Sequence, residues 1–391
     1  MSLEVISLGC RLNLSESETL RAMLPADADL VVINSCAVTA EAVRQTRQAI
    51  RRARREHPDA RLLVTGCAAE VERAALAAMP EVDGLVANAA KLDPRAWNVP
   101  MVTPKLDQTR HSRAFIAVQN GCDHACTFCV IPQGRGPSRS LTVSKVLREV
   151  ERHLARGAHE AVLTGVDLTS WGHDLPGAPP LGHLVAAILA EFPQLPRLRL
   201  SSLDGIEIDP ALFDFIAAEP RVMPHIHLSL QHGNDLILKR MKRRHLRRDA
   251  ANLVAELRAQ RPELAVGADL IAGFPTESAA AHADNLSIIA ELGVVHGHVF
   301  PYSRRPGTPA DRMPQLDGEV IRSRAAELRS VVAAVRTDWL SELVGKPLAV
   351  LAERDGTGHA PNFARVQLLP GALAGTIVNV TPTRIIEGLL A

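Results

Sequence analysis

The chain has 391 residues, of which 47% are hydrophobic and 22% are charged, and its formal net charge is +1. This length exceeds what one ordinary hydrophobic core fills, so two or three domains are expected. The near-neutral charge excludes a general attraction to nucleic acid over the whole surface, although basic residues cluster locally. The sequence shows neither a secretory leader nor an apolar run long enough to span a membrane, so we predict a cytoplasmic protein.

The first third of the chain repeats one pattern, in which a short apolar run is followed closely by a cysteine. The runs are 4–8, 30–33 and 61–64, and the cysteines after them are Cys10, Cys36 and Cys67. A helix is predicted over 41–55, where apolar residues recur at helical spacing. Strands that alternate with helices form parallel sheets, whose strands end at one edge. We therefore predict an N-terminal parallel-sheet domain over residues 1–93 that brings the three cysteines together.

A second alternation of strands and helices follows a linker that we place at residues 94–112, where proline breaks the pattern. The predicted strands are 115–119, 161–164, 198–201, 225–230, 266–271 and 296–302. Helices are predicted between them, including 143–155, with Thr142 as its cap, and 250–259. Six such units favour an incomplete (β/α)6 barrel over residues 113–337, with its chemistry at the carboxyl ends of the strands.

The last part of the chain changes character after a helix predicted over 318–344. Residues 338–391 are rich in Val, Leu, Thr and Gly and predict a small all-β domain. This domain either only braces the barrel or offers an RNA-binding surface, for which its arginines Arg354, Arg365 and Arg384 are suited.

Three further cysteines, Cys122, Cys126 and Cys129, lie within eight residues of one another just after a predicted strand. Such spacing lets one loop surround a single metal centre, and thiolates favour iron-sulfur clusters and other soft metals. Zinc is the alternative, with His124 as a fourth ligand, because structural zinc requires four ligands. A 4Fe-4S cluster held by three cysteines instead keeps one iron open for a small molecule.

The remaining thiols, Cys10, Cys36 and Cys67, are individually typical of buried core residues. Their equivalent positions at three strand ends favour a second three-cysteine cluster. The open iron of such a cluster would be a place to hold a sulfur atom.

The pattern C-x3-C-x-F-C over 122–129 resembles the signature of the radical S-adenosylmethionine (SAM) superfamily. Taken with the N-terminal cysteines and the C-terminal β domain, the chain resembles the methylthiotransferases, whose last domain is the RNA-binding TRAM module. The segments CAVT at 36–39 and HVFPYS at 298–303 are similar to the branch that modifies N6-threonylcarbamoyladenosine in tRNA, 3′ of the anticodon. The resemblance implies two 4Fe-4S clusters and two SAM molecules. The first SAM molecule methylates a bound sulfur, and the second yields the radical that removes hydrogen from C2 of adenine. It also implies a tRNA substrate, a sulfur donor and an electron donor such as flavodoxin or ferredoxin, and we expect a monomer.

Individual binding residues follow from the same resemblance. Residues expected to contact SAM are Phe128, Arg139, Gly165, Gln231 and Asp269, while Arg135 and Arg139 both suit a SAM carboxylate or an RNA phosphate. Gly165 also suits a plain turn. The run Arg240, Lys242, Arg243 and Arg244 is expected to bind tRNA phosphates, unless it is only a solvated helix face.

Related activities remain open at this point. Sister enzymes act on isopentenylated adenosine in tRNA or on an aspartate of a ribosomal protein by the same chemistry. Two further alternatives belong to other classes of protein. In one, the protein is a radical SAM enzyme whose N-terminal cluster only transfers electrons. In the other, it is a non-catalytic iron-sulfur protein that binds RNA.

Overall fold

The computed structural model describes residues 3–99 and 112–391. The chain forms two compact units. The described parts of Met1–Thr109, Asn120–Arg139 and Ser303–Asp311 form the first, called here the cysteine unit. The second, called the barrel unit, contains the described parts of Arg110–Gln119, Ser140–Tyr302 and Arg312–Ala391. Most of the predicted linker lies outside the described residues, and its described start, Pro94–Trp97, is a 3-10 turn in which Trp97 is fully buried.

The cysteine unit is built on a four-stranded parallel sheet in which neighbouring strands are also consecutive in the chain. Its strands are β1 Glu4–Ser7, β2 Leu30–Ser35, β3 Arg61–Gly66 and β4 Gly84–Leu85. Its helices are α1 Arg11–Met23, α2 Ala40–Glu56, α3 Cys67–Val71, α4 Arg73–Ala77 and α5 Ile131–Arg135. The three predicted strands and the helix over 41–55 are thereby confirmed. The side chain of Thr39 caps α2 by accepting the N–H of Ala42.

The barrel unit carries six longer parallel strands, as the sequence predicted. The strands described between residues 112 and 302 are β5 Ala114–Ala117, β6 Gln119–Asn120, β7 Arg139–Ser140, β8 Glu160–Thr164, β9 Arg197–Leu200, β10 Ser202–Leu203, β11 His225–Gln231, β12 Ala265–Ala272 and β13 Val294–Pro301. The parallel ladder runs β5-β8-β9 and then β10-β11-β12-β13, with a break at Ser201 that divides one strand into β9 and β10. These strands form the incomplete α/β barrel.

Helices cover the outside of this barrel and bury their apolar faces on it. They are α6 Val143–Leu154, α7 Leu181–Glu191, α8 Pro210–Ala218, α9 Asp235–Arg240, α10 Arg247–Gln260, α11 Ala279–Leu292 and α12 Gly318–Leu343. The predicted cap of α6 is wrong in its chemistry: Thr142 occupies the N-cap position, but its hydroxyl lies 3.3 Å from the Ser144 hydroxyl and accepts no backbone N–H of the helix. In the described part of the chain, no helix is both long and apolar enough to cross a membrane.

The C-terminal part forms a six-stranded, mainly antiparallel sheet, which confirms the predicted small β region. Its strands are β14 Leu348–Ala352, β15 Thr357–His359, β16 Arg365–Gln367, β17 Ile377–Val380, β18 Ile385–Ile386 and β19 Leu389–Leu390. Helix α12 runs without a break across the predicted domain boundary between residues 337 and 338. The sheet is joined to the barrel by Arg199, which pairs with the fully buried Glu160 and donates to the carbonyl of Pro361.

Candidate metal centre

All six cysteines of the sequence lie in the cysteine unit. Cys10 is the N-cap residue of α1 and follows β1, Cys36 follows β2 directly, and Cys67 is the first residue of α3 directly after β3. Because these strands are parallel neighbours, the three cysteines lie at one edge of one sheet. The structure therefore brings together the N-terminal trio, here defined as Cys10, Cys36 and Cys67.

The N-terminal trio is tightly enclosed on one side and open on the other. A Cβ atom placed on Gly9 would lie only 2.7 Å from the Sγ atom of Cys36. Cys36 and Cys67 are buried, whereas Cys10 is exposed. Burial raises the pKa of the Cys36 thiol to about 11, and the neighbouring thiols of Cys10 and Cys67 act in the same direction. The two buried thiols, Cys36 and Cys67, resist ionisation by themselves, and a metal centre would stabilise their thiolates by its positive charge.

The second trio, Cys122, Cys126 and Cys129, lies in the loop between β6 and α5, and all three residues are half-buried. The backbone N–H groups of His124 and Ile131 donate to the Sγ atoms of Cys122 and Cys129, each at 3.4 Å. Amide N–H groups directed at sulfur stabilise thiolates and are among the features that tune iron-sulfur clusters. This loop therefore fits a cluster held by three thiolates.

Gly121 shapes this loop directly before its first cysteine. Its φ of 77° lies in the left-handed region, and an added Cβ would come within 1.9 Å of the Pro137 carbonyl oxygen. Only glycine allows both the conformation and this approach of the two backbone segments. The loop is closed by the N–H of Cys122, which donates to the carbonyl of Gly136 at 3.2 Å.

A buried ion network joins helix α1 to helix α5. The carboxylate of Glu16 accepts from Nζ of Lys91 at 2.5 Å and from two nitrogens of Arg135 at 2.9 Å and 3.1 Å. Arg135 also donates to the side-chain oxygens of Asn13 at 2.5 Å and Asn120 at 2.8 Å. The side chains of Lys91, Glu16 and Arg135 are 1%, 3% and 1% exposed. The network therefore connects the segment that follows Cys10, a member of the N-terminal trio, with the segment that follows Cys129, a member of the second trio.

The charges in this network do not cancel, since two cations face one carboxylate. Burial alone would raise the pKa of Glu16, but Lys91 and Arg135 outweigh it, so the pKa lies below its ordinary value. Burial also raises the pKa of the Cys67 thiol, and the positive charges of Arg135 and Lys91 oppose this increase. The remaining positive charge thus acts on a member of the N-terminal trio and favours its thiolate.

Helix α5 also contacts the N-terminal trio directly. A Cβ atom on Gly134 would lie 3.1 Å from the Cβ of Cys67, so the two helices α3 and α5 touch at this point. Asn88 donates to the Gly134 carbonyl at 2.5 Å, and its nitrogen lies 4.0 Å from the Sγ of Cys67. The two cysteine segments are therefore packed against each other within one unit.

The residues predicted to contact SAM are divided between the two units. Phe128 is half-buried and Arg139 is exposed in the cysteine unit, where Arg139 donates to the Arg135 carbonyl at 3.2 Å. Arg135 itself is held in the buried network, so its guanidinium is already engaged by protein groups, in contrast to the expectation that it meets SAM or RNA.

In the barrel unit, Gly165 follows β8 and lies against Gln119, whose side-chain oxygen would be 2.8 Å from an added Cβ. That oxygen accepts the N–H groups of Val166 and Asp167, each at 2.9 Å. Gln231 is the last residue of β11 and has a φ of 67°. Asp269 lies within β12, where its carboxylate is bonded to two histidines.

The basic run after α9 is less uniform than its sequence indicates. Arg243 is largely buried and donates to Asp204 at 2.9 Å and to the Ser229 carbonyl at 3.0 Å, while Arg240 donates to Thr276 at 2.7 Å. Lys242 is exposed, and Arg244 is exposed but paired with Glu207. Two members of the run thus support the local structure, and Lys242 and Arg244 face solvent.

The network residues Glu16 and Lys91 were not identified from sequence. Asn13 and Glu16 follow Cys10 at spacings that place them on one face of α1, which is a signal that a polar helix face is buried. Lys91 lies in an irregular segment, and no local pattern marks it as buried.

Comparisons with known proteins agree with this architecture. The Radical SAM superfamily matches residues 116–285, and the uncharacterized protein family UPF0004 matches residues 2–87. A Rickettsia prowazekii protein named threonylcarbamoyladenosine tRNA methylthiotransferase MtaB is 40% identical, over 99% of this chain and 96% of its own length. A Chloroflexus aurantiacus protein named tRNA-2-methylthio-N(6)-dimethylallyladenosine synthase is 32% identical, over 90% of this chain and 82% of its own length.

Among solved structures, the radical SAM methyltransferase TsrM from Kitasatospora setae aligns with a TM-score of 0.52 at 17% identity, covering 76% of this chain and 68% of that one. At this identity the likeness supports the fold. Membership of the radical SAM superfamily implies one 4Fe-4S cluster and SAM, which the thiol loop 122–129 fits better than zinc. The resemblance found in the sequence is confirmed, and the chain belongs to the radical SAM methylthiotransferase family.

Proposed function

We propose that this enzyme adds a methylthio group to C2 of N6-threonylcarbamoyladenosine in tRNA, at the position 3′ of the anticodon. The observation that carries the proposal is similarity over nearly the full length to proteins named for this activity, at 40% and 33% identity. Relatives named for dimethylallyladenosine are 32% identical over a smaller share of the chain. The same chemistry on isopentenylated adenosine is therefore the second candidate.

The enzyme would hold two 4Fe-4S clusters, one on Cys122, Cys126 and Cys129 and a second on the N-terminal trio. With SAM bound, the cluster on Cys122, Cys126 and Cys129 would supply the electron for SAM cleavage and so provide radical chemistry able to remove hydrogen from an unactivated carbon. The residues proposed to bind SAM remain Phe128, Arg139, Gly165, Gln231 and Asp269.

The protein's own residues would order and shield these centres. The N–H groups of His124 and Ile131 stabilise charge on two sulfurs of the loop. The network around Glu16 fixes α1 against α5, which limits the movement of one cysteine segment relative to the other. Cys10, the exposed member of the N-terminal trio, would lie at the side through which sulfur enters.

For the tRNA, we propose a surface that includes Lys242 and Arg244, because phosphate neutralisation supplies most non-specific affinity. The C-terminal sheet would add a TRAM-like RNA contact, although Arg365 in this sheet already pairs with Asp355 at 2.7 Å. The sulfur donor and the electron donor would be separate partners.

Two cysteine substitutions in the reconstituted full chain test the proposal. Cys10→Ala should reduce bound iron and sulfide by about half, keep the formation of 5′-deoxyadenosine from SAM and abolish methylthiolation of an anticodon stem-loop RNA. Cys126→Ala, the matched control in the other trio, should abolish both products. If Cys10→Ala only slows SAM cleavage and still methylthiolates, the N-terminal cluster transfers electrons instead.

The substrate is tested separately by mass analysis of tRNA nucleosides from a strain that lacks the gene. Loss of 2-methylthio-N6-threonylcarbamoyladenosine is the expected result. Loss of the methylthio isopentenyl nucleoside instead, or no change in either nucleoside, would contradict the proposed substrate.

A further inference from the structure

Three polar side chains form a hydrogen-bonded row on neighbouring strands of the barrel. Asp269 on β12 lies between His227 on β11 and His298 on β13. Its Oδ1 atom is 3.0 Å from Nε2 of His227 and 3.2 Å from Nδ1 of His298. His227, Asp269 and His298 are called here the His-Asp-His row.

The row lies on the inner face of the sheet. The alternate residues Leu228, Leu270 and Val299 pack into the apolar layer between the strands and the surrounding helices. A Cβ atom on Gly297 would meet Val332 of α12 at 2.5 Å, which places the residue before His298 on the outer face. Because successive side chains of a strand point to opposite faces, the row faces the interior of the barrel. Asp269 and His298 lie three residues before the carboxyl ends of β12 and β13, the end of the strands at which substrates bind in barrel enzymes.

The row is arranged to present a hydrogen-bond acceptor to the interior. Burial alone would raise the pKa of Asp269, but hydrogen bonds from His227 and His298 outweigh it and hold the pKa below its ordinary value, so the carboxylate is charged. His298 uses Nδ1 toward this carboxylate, and its side chain is 61% exposed. Within the described part of the chain, Nε2 of His298 forms no hydrogen bond, so this nitrogen is available to a ligand.

The two kinds of substrate named for the relatives differ in a way that this acceptor can detect. A threonylcarbamoyl group carries a carboxylate and a hydroxyl, whereas a dimethylallyl group is a hydrocarbon. C2 and C6 flank N1 in the adenine ring, so a substituent on N6 enters the barrel together with the reacting carbon. Because Nδ1 of His298 donates to the carboxylate of Asp269, Nε2 keeps its lone pair and can accept a hydrogen bond from the hydroxyl.

We propose that His298, held by Asp269 and His227, accepts a hydrogen bond from the hydroxyl of the threonylcarbamoyl group and thereby selects this substrate over one with an apolar N6 substituent. The inference rests on the proposed function and adds the residue that determines specificity. An apolar substituent in the same place cannot donate to Nε2, so it removes water from that nitrogen without giving it a new partner.

The test compares stem-loop RNAs that carry threonylcarbamoyladenosine or isopentenyladenosine at the same position, with the reconstituted full chain. His298→Phe keeps a ring of similar size and removes both nitrogens. A lost hydrogen bond between neutral groups predicts a rise of about two- to tenfold in KM for the threonylcarbamoyl RNA. For the isopentenyl RNA we expect no rise in KM, so the preference between the two substrates should fall by the same factor. His298→Gln should recover part of the preference, because its amide oxygen still accepts a hydrogen bond.

The control is His296→Phe, the same substitution on the same face of β13. His296 is half-buried and packs against Trp339 and Phe363, with ring centroids 5.4 Å and 5.5 Å apart, away from the exposed end of the row. This variant should keep the wild-type preference. If His298→Phe also keeps it, or loses both substrates equally, the inference is wrong. A wild-type enzyme inactive on the threonylcarbamoyl RNA would instead refute the proposed function itself, and the inference with it.

Discussion

Glu16→Gln tests whether the buried network holds the two cysteine segments together. The substitution keeps the size and shape of the side chain and removes its charge. It leaves the cations of Lys91 and Arg135 buried within a few ångströms of a neutral amide, without their counterion. The expected consequence is a selective loosening of α1 and α5 in the cysteine unit.

The magnitude follows from the burial of the network. Removal of one partner from a buried pair typically costs about 3–5 kcal/mol, because the other charge stays buried and uncompensated. Glu16 serves two cations through three hydrogen bonds, so we expect about 4 kcal/mol. This corresponds to roughly a thousandfold increase in the equilibrium constant for local opening.

Amide hydrogen exchange of the metal-free protein measures this opening segment by segment. Exchange should accelerate in Arg11–Met23 and Ile131–Arg135 and stay unchanged in the barrel strand Ala265–Ala272. Glu41→Gln is the matched control in the same unit, because the Glu41–Arg44 pair is exposed on α2 and its loss should not be measurable. Wild-type protection of α1 and α5 in the Glu16→Gln protein would refute the reasoning.

The pH dependence provides an independent check on the same carboxylate. The folded pKa of Glu16 lies below its ordinary value, so its contribution to stability is fully present above that ordinary value and is lost as pH falls through the folded pKa. The difference in exchange between wild type and Glu16→Gln should therefore be constant near neutral pH and disappear in acid. A difference that grows with acidity would contradict the assignment of a charged carboxylate.

Three further outcomes are expected. Gly121→Ala should lower the cluster absorbance of the reconstituted chain, because its Cβ would meet the Pro137 oxygen at 1.9 Å, whereas Gly136→Ala, which shares the strain of a positive φ but meets no atom within 4 Å, should lower it less. Lys242→Glu should weaken tRNA binding in filter-binding titrations and lower the slope of log affinity against log salt by about 1 or more, whereas Arg243→Ala should mainly reduce stability, since Arg243 is bonded to Asp204. Glu160→Gln should increase hydrogen exchange in the C-terminal sheet, because it leaves Arg199 buried without its carboxylate.

Periodicity and apolar runs were sufficient to predict β1, β2 and β3, the six longer strands of the barrel and the helices α2, α6, α10 and α12. The three N-terminal cysteines could be grouped because parallel strands end at the same edge, an argument that needs no knowledge of distant contacts. Such reasoning did not reveal that the loop of Cys122 packs with the N-terminal sheet. That contact depends on Arg135 and Glu16, which are 119 residues apart in the chain.

The basic run shows a related limit of local patterns. Arg240, Lys242 and Arg243 are indistinguishable by composition, yet Arg243 is buried on Asp204 and Lys242 is exposed. Which arginine is enclosed depends on the carboxylates and carbonyls that the fold brings to it. The row of His227, Asp269 and His298 has the same origin, because its three members come from three different strands.

The unequal charges around Glu16 have a consequence for metal loading. In the metal-free protein, Lys91 and Arg135 face one carboxylate, and burial keeps the nearby Cys36 and Cys67 as neutral thiols. A bound cluster converts thiols into thiolates and so adds the negative charge that the network lacks. Metal binding should therefore stabilise this unit by more than the coordination bonds alone, since ligand ionisation and folding are linked.

Lys91→Met tests how much of the stabilisation by metal binding is electrostatic, because it leaves one cation for one carboxylate and preserves much of the side-chain volume. The metal-free variant should be at least as stable as the metal-free wild type, since its buried charges now balance. On reconstitution it should gain less stability than wild type, as measured by the shift in the thermal unfolding midpoint. Equal gains in the two proteins would mean that the surplus charge is neutralised by solvent, and that the network serves packing alone.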